Sequence, residues 1–197
     1  ETADIAIQAA LTGHLVVSTI HTNSAAGSVP RFLSMGVKPL LLSPALNAVI
    51  GQRLVRRLCK ECKVPQELSL SQRKQVTGIL KAISPASGVT VDLEKLAFSG
   101  PGKKDGCPTC GGFGYKGRVG IYEIFTITPK IEAMILKGTS TEFEINEQAV
   151  AEGMITMAQD GLLKALDGLT SVEEVLAAAN TDTMAEEPEP QTTSPSV

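Results

Sequence analysis

An α/β fold with a four-cysteine metal module and a helical end is what this sequence predicts. Three observations carry that expectation. A short β-branched apolar run, His14 to Ile20, lies between two stretches with helical periodicity. All four cysteines of the chain fall in two C-x-x-C pairs, Cys59-Lys60-Glu61-Cys62 and Cys107-Pro108-Thr109-Cys110. From Thr128 onward the chain reads as consecutive helices.

The elements follow in order. Glu1 to Thr12 places Ala3, Ile7, Ala10 and Leu11 on one helical face, and Gly13 stops it. His14 to Ile20 has the composition of a strand buried on both faces. His21-Thr22-Asn23-Ser24 ends that strand, and Asn23 or Ser24 can cap a helix from Ala25 to Met35, closed by Gly36. Helix, buried strand and helix in this order suggest part of a parallel sheet. Pro39 can start a helix from Leu40 to about Ile50. Gln52 to Leu58 fits a strand with one basic face, or the end of that helix. Ser69 to Ile83 can hold a helix through Val76, Ile79, Leu80 and Ile83, whereas Ser99 to Gly106 is a loop by composition. Arg118 to Ile127 has strand composition. Helices are expected over Thr128–Lys137, Thr141–Glu152, Thr156–Leu166 and Ser171–Ala179, the last opening with the capping-box pattern Ser171-x-x-Glu174. Beyond Asn180 the chain is rich in Pro, Glu and Thr, and residues 181–197 are expected to form a disordered acidic tail.

Composition bounds the function. The 197 residues suffice for one or two domains with a real core, and 43% are apolar. Tryptophan is absent and aromatics make up 4%, so the core must be aliphatic. No run of about 18 apolar residues is present to span a membrane. The net charge is −3, but the tail from Thr181 carries −4, leaving +1 on the rest. That balance exerts no global pull on nucleic acid, and no specific nucleic-acid partner is expected. One local basic run, Arg53, Arg56, Arg57, Lys60 and Lys63, is offset only by Glu61. It fits a solvated face beside a metal site as well as a surface for a neighbouring subunit or acidic lipid. Glu1-Thr2-Ala3 has no initiator methionine and reads as starting mid-element, so a fragment is expected.

The cysteines carry the clearest chemistry. A C-x-x-C turn brings two thiolates within reach of one tetrahedral ion, and two such turns make a closed four-sulfur site, most simply a structural zinc site. The 44 residues between Cys62 and Cys107 exceed the common finger spacing. Gly111-Gly112-Phe113-Gly114 supplies a flexible turn after the second pair. A redox pair would follow a strand in a thioredoxin-like unit, which neither pair clearly does. Buried thiols or disulfides remain as alternatives, the latter requiring an oxidising compartment. The two histidines, His14 and His21, flank the predicted strand; a histidine at a strand end is usually a hydrogen-bonded structural group. Ser18, Thr19, Thr22, Asn23 and Ser24 surround His21 with hydroxyls and an amide, at the end of a strand where α/β sheets place ligands. Gly102-Lys103 is not a phosphate-binding loop. Ala97 stands where its first Gly belongs, and Lys104 where Ser or Thr belongs. No Ser-His-acid triad or H-E-x-x-H is present.

Thr12-Gly-His-Leu-Val-Val-Ser-Thr-Ile-His-Thr-Asn23, following Glu1-Thr-Ala3, closely resembles the ATPases of type II secretion and type IV pilus assembly. So do Leu46 to Cys59, Gly114 to Ile124, Gly153-Met154, Asp160-Gly161 and Gly168 to Val175, which occur in the family's order. The resemblance implies a hexameric P-loop ATPase, of which this chain is the C-terminal half of the RecA-like core (1–58), a zinc module with a polar insert (59–116) and a helical subdomain (117–180). It implies that His21, with His14 as neighbour, lies near the nucleotide phosphates and couples nucleotide state to domain motion. Gln52 and Arg53 correspond to a run on the nucleotide-binding side. Cys59, Cys62, Cys107 and Cys110 correspond to the family's structural zinc ligands, which the pilus-retraction branch lacks. The phosphate loop, acidic box, catalytic glutamate and arginine fingers precede this segment in the family. The chain alone is therefore expected not to hydrolyse ATP. A homo-hexamer, an inner-membrane platform protein as partner, bound ATP and Mg²⁺ in the full-length protein, and a cytoplasmic location peripheral to the inner membrane are implied likewise. Two rival readings stand beside this one. The first is a zinc-dependent interaction module, because Cys107 to Gly114 fits one C-x-x-C-x-G-x-G chaperone repeat. The second is a nucleic-acid-binding zinc ribbon, against which the scarcity of aromatics argues.

Overall fold

The computed structural model describes residues 2–102 and 106–180. From the N-terminus come α1 (Thr2–Leu11), α2 (Ser28–Ser34), α3 (Pro39–Ala45), β1 (Ala48–Leu58), β2 (Val64–Gln66) and α4 (Leu70–Lys81). A 3₁₀ turn (Pro85–Ser87), β3 (Phe98–Gly100), β4 (Tyr115–Thr126), α5 (Pro129–Lys137), α6 (Glu142–Ala151), α7 (Met157–Leu166) and α8 (Val172–Asn180) complete the order. The strands make two antiparallel pairs, β1 with β4 and β2 with β3.

The β1–β4 ribbon is the spine of the molecule. Its register sets Val49 opposite Phe125, Gly51 opposite Glu123, Arg53 opposite Ile121 and Val55 opposite Val119. Side chains alternate across a strand, so these pairs share one face, and the helices cover it. The other face carries Ile50 opposite Ile124, Gln52 opposite Tyr122, Leu54 opposite Gly120 and Arg56 opposite Arg118. That face is largely solvated: Ile50, Leu54 and Ile124 are all exposed.

Two aliphatic cores flank the spine. The first joins Ile7 of α1, Val29 of α2, Leu42 of α3, Phe125 of β4, Ile131 and Ile135 of α5 and Ile145 of α6. The second joins Val76 and Leu80 of α4, Phe98 of β3, Leu162 and Ala165 of α7 and Val175 of α8. A small cluster of Val55, Ile121 and Met157 lies between ribbon and α7. The segment between the cysteine pairs thus packs, through α4 and β3, on the C-terminal helices.

Several helix starts follow from their caps. Ser69 with Gln72, Thr141 with Glu144 and Thr156 with Gln159 each form a reciprocal capping box, satisfying orphan N–H groups at the starts of α4, α6 and α7. Ser171 behaves differently. Its hydroxyl accepts from Glu174 N at 3.4 Å, but the Glu174 carboxylate turns away to Arg56 at 2.6 Å. The stronger, charge-assisted partner wins the side chain from the capping box.

Four expectations are corrected. His14 to Ile20 is not a strand: it has no regular structure, and Leu15 and Val17 are 91% and 88% exposed. A strand buried on both faces needs hydrogen-bonding neighbours, and among the described residues none pairs with this run. The expected parallel sheet is absent for the same reason; both described pairs are antiparallel. The helix expected to reach Ile50 ends at Ala45, because Leu46 is extended and Asn47 O accepts from Ile127 N, which starts the ribbon. Arg53 and Arg56 do not form one basic face, since three residues along a strand they emerge on opposite sides. The expectation of a loop over residues 99–106 is modified as well, because Ser99 and Gly100 belong to β3 and residues 103–105 lie outside the described ones. The tail expectation also lies outside the described residues. No described helix is long and apolar enough to cross a membrane.

Helices α7 and α8 touch at Gly161, where an added Cβ would lie 2.6 Å from Val175 Cγ1. Glycine inside a helix normally costs about 1 kcal/mol relative to alanine. Overpacking a closed core costs about 1–3 kcal/mol, and fully buried Val175 has nowhere to turn. Gly161→Ala is therefore expected to destabilise the chain by about 1 kcal/mol net in urea unfolding, where a surface glycine would give a gain.

Candidate metal centre and the turn after His21

Cys59 and Cys62 follow directly on β1, and Cys107 and Cys110 shortly precede β4. Each pair closes a tight turn. Lys63 N donates to Cys59 O at 3.0 Å, and Gly111 N donates to Cys107 O at 2.8 Å. The turns are stitched together by Cys59 N donating to Gly114 O at 2.9 Å. The four sulfurs lie within 4.8 Å of one another, with Cys59 to Cys107 at 4.0 Å and Cys62 to Cys110 at 3.6 Å. Tetrahedral zinc–thiolate bonds of about 2.3 Å put sulfurs about 3.8 Å apart, so these spacings suit one ion. A disulfide requires about 2.05 Å, and all four cysteines are free. All four are buried, and they form a cluster of their own. Convergence of both pairs is what a shared metal ion needs and a single redox pair does not.

The electrostatics of the cluster are uneven. Burial pushes the Cys62 thiol up to about 12, with hydrogen bonds to Cys110, Cys59 and Cys107 adding to it. Burial pushes Cys110 up too, but the Gly114 N–H, the contacts with Cys62 and Cys107 and the Gly112 N–H outweigh it, and Cys110 falls to about 7. Gly114 N donates to Cys110 Sγ at 3.3 Å, the kind of bond that favours a thiolate. Cys110 is thus easier to ionise than Cys62, and a metal ion binding to the cluster would displace the thiol protons.

The residues at the other end of the ribbon are arranged differently. His14 is exposed, with Nδ1 3.1 Å from Thr12 Oγ1, and His21 is exposed as well. Neither lines the groove of about 680 Å³ that opens between residues 15–25, α1, α3 and β1. Gln52 and Arg53 do line it. As neighbours in a strand they emerge on opposite faces: Gln52 is exposed, while Arg53 is half-buried and donates to Asn23 O at 3.4 Å and to Ala178 O at 3.0 Å. The structure thus gathers the four cysteines into one site and leaves the two histidines in solvent.

The turn after His21 is held by Ser24, a cap candidate in the sequence, and by two carboxylates the sequence did not single out, Glu123 and Glu142. Ser24 Oγ accepts from Gly27 N at 3.0 Å and donates to the Glu142 carboxylate of α6. Ala25 N donates to Glu123 Oε1 at 2.5 Å. A signal for Glu123 was present. It stands at an inward position of β4, between Ile121 and Phe125, where a carboxylate is out of pattern.

Comparison with known proteins adds the family. Residues 1–177 match the family described as type II/IV secretion system protein. The chain is 40% identical over 176 residues to the type IV pilus assembly ATPase PilB of Myxococcus xanthus, covering 89% of this chain and 29% of that protein. It is 44% identical over 179 residues to PilB of Thermus thermophilus, covering 90% of this chain and 18% of the relative. It is 42% identical over 180 residues to the type II secretion system protein E of Pectobacterium carotovorum, covering 89% and 32% respectively. A mixed α/β chain with a four-thiol centre and this match belongs to the type II/IV secretion system protein family. It spans a third or less of the length of these relatives.

Metal uptake should follow the thiol protonation. The Cys110 thiol is held down and the Cys62 thiol up, and both must lose their protons to bind an ion. Protons then compete with the ion. A cobalt(II) titration read by thiolate absorption is expected to show apparent affinity falling at least about tenfold per pH unit below neutrality. A flat profile would show that the thiols are not the ligands.

Proposed function

We propose that this chain is the C-terminal part of a hexameric ATPase that powers type IV pilus assembly or type II protein secretion. The match over residues 1–177 to this family carries the reading. On it, residues 1–58 continue a RecA-like core, 59–116 form the metal module with its insert, and 117–180 form the helical end. The full-length protein binds ATP and Mg²⁺ in its preceding half and works at the cytoplasmic face of the inner membrane against a platform protein there. His21, with His14 beside it, senses the nucleotide phosphates, and Gln52 and Arg53 belong to the same side of the core. Both imidazoles are exposed and so accessible to a ligand.

Cys59, Cys62, Cys107 and Cys110 hold a structural zinc ion, which supplies a cross-link and no chemistry on substrate. The spacing of the four sulfurs supports zinc. The cross-link keeps the two strands from separating at one end of the ribbon, so a displacement near His21 travels along β1 and β4 to the helices rather than being lost in bending. The chain by itself is expected not to hydrolyse ATP, because its sequence carries no G-x-x-x-x-G-K-[ST] loop to clamp the β- and γ-phosphates.

Two assays test this. A phosphate-release assay on the purified chain is expected to show no turnover. A chimera in which the chain replaces the matched 176 residues of the Myxococcus xanthus relative is expected to hydrolyse ATP. In it, His21→Ala is expected to lower kcat at least tenfold, within the range of groups that stabilise developing charge. Turnover by the chain alone would overturn its inactivity, and an assembled chimera without turnover would overturn the motor reading.

A further inference from the structure

Glu123 is only 6% exposed, in a strand whose neighbouring inward positions are Ile121 and Phe125. A carboxylate in such a place is costly unless its oxygens are satisfied. Oε1 accepts from Ala25 N at 2.5 Å, and Oε2 accepts from Met157 N at 3.4 Å. Met157 is the first residue of α7, where a helix presents unpaired N–H groups and favours negative charge. One carboxylate therefore bridges two segments more than a hundred residues apart, the turn after His21 and the start of α7.

Room for it is made by Gly51, its register partner in β1. A Cβ on Gly51 would lie 2.8 Å from Glu123 Cγ and 3.2 Å from Ala25 N. Two other side chains reach the same turn. Arg53 joins Asn23 O to Ala178 O near the end of α8, and Ser24 donates to Glu142 of α6. Glu142, Glu123 and Arg53 thus fasten the turn at residues 23–25 to α6, α7 and α8.

We infer that Glu123 is a positioning residue that makes the turn after His21 and the first turn of α7 open, close and shift as one unit. A carboxylate suits this, since Ala25 and Met157 each present it with an N–H donor. In Glu123→Gln the amide can still accept one of them but turns its own NH₂ group on the other. Gly51→Ala displaces the carboxylate without changing its charge. Arg53 and Glu142 hold the same turn from its flanks, so the unit survives as a folded element when the central bridge is cut. The use of this unit in coupling nucleotide state to helical motion rests on the motor reading above; the bridge itself does not.

Native-state hydrogen exchange by NMR on the 197-residue chain tests it. The protection factors of the Ala25 and Met157 amides are expected to agree within about threefold in the unmodified chain. Glu123→Gln and Gly51→Ala should each speed both amides at least about tenfold while Ile135 and Ile145 stay unchanged. His21→Ala should shift the Met157 amide resonance in the unmodified chain and leave it unmoved in the Glu123→Gln background. Unequal protection in the unmodified chain, a uniform loss across the core, or a His21→Ala shift that persists without the carboxylate would overturn the inference. None of these readouts requires ATP turnover, so they stand or fall apart from the chimera.

Discussion

The convergence of four buried sulfurs at one end of a long two-stranded ribbon is the constraint on which the rest depends. Cys59 follows directly on β1, the second pair precedes β4, and Cys59 N donates to Gly114 O where the two turns meet. Once that end is pinned, the strands can pair in only one register. A slip of one residue would put Glu123 on the solvated face and Ile124 in the core. Closing a loop of this size in the unfolded chain costs on the order of 3 kcal/mol, which an ion held by the four thiols would offset by keeping the two turns together. The interval between the cysteine pairs is then a tethered loop, and its α4 and β3 add one wall of the second core.

From that pinned end the helical part is docked by backbone as much as by side chains. Leu58 N donates to Leu169 O at 2.9 Å, and Thr170 Oγ1 donates to Arg56 O at 2.8 Å. Arg56 stacks 4.5 Å from the Tyr115 ring centroid and pairs with Glu174, and Tyr115 Oη lies 2.9 Å from Ser171 Oγ. The hydrogen bond from Arg56 holds the Glu174 carboxyl below its usual range, against the opposing effect of burial. The Arg56 side chain is 62% exposed, so this pair adds at most about 1 kcal/mol and acts mainly to orient α8. The stabilising term is apolar: Val172 and Val175 are fully buried beneath it. At the far end of the ribbon, Glu123, Arg53 and Glu142 do for the turn after His21 what the sulfurs do for the near end.

Most helices were legible because their signals are local. Thr141 and Thr156 stand three residues before Glu144 and Gln159, and both capping boxes form. The four cysteines were legible as a site because two C-x-x-C pairs specify a chemistry before any fold is known. The run His14 to Ile20 misled because its β-branched composition reports a preference for a sheet, not the presence of a neighbour to pair with. The expected helix ran on to Ile50 because Pro39 marks a helix start and the apolar-rich stretch after it carries no clear stop, and periodicity alone does not separate a buried helix from a strand in so short a run. Glu123 and Glu142 went unseen because their partners are backbone and hydroxyl groups about 100 residues away. Family resemblance, by contrast, rests on residue identity in order, and the relatives at 40–44% identity agree with it.

Elemental analysis of the purified chain, paired with thermal unfolding before and after chelation, tests the central constraint most directly. The account predicts one zinc ion per chain, and a fall in Tm of roughly 10 °C on its removal, as loop-closure entropy is returned to the unfolded state. Cys59→Ser and Cys110→Ser should show the same loss. A chain that is metal-free as purified, yet unfolds at the same temperature whether or not the four thiols are intact, would contradict it.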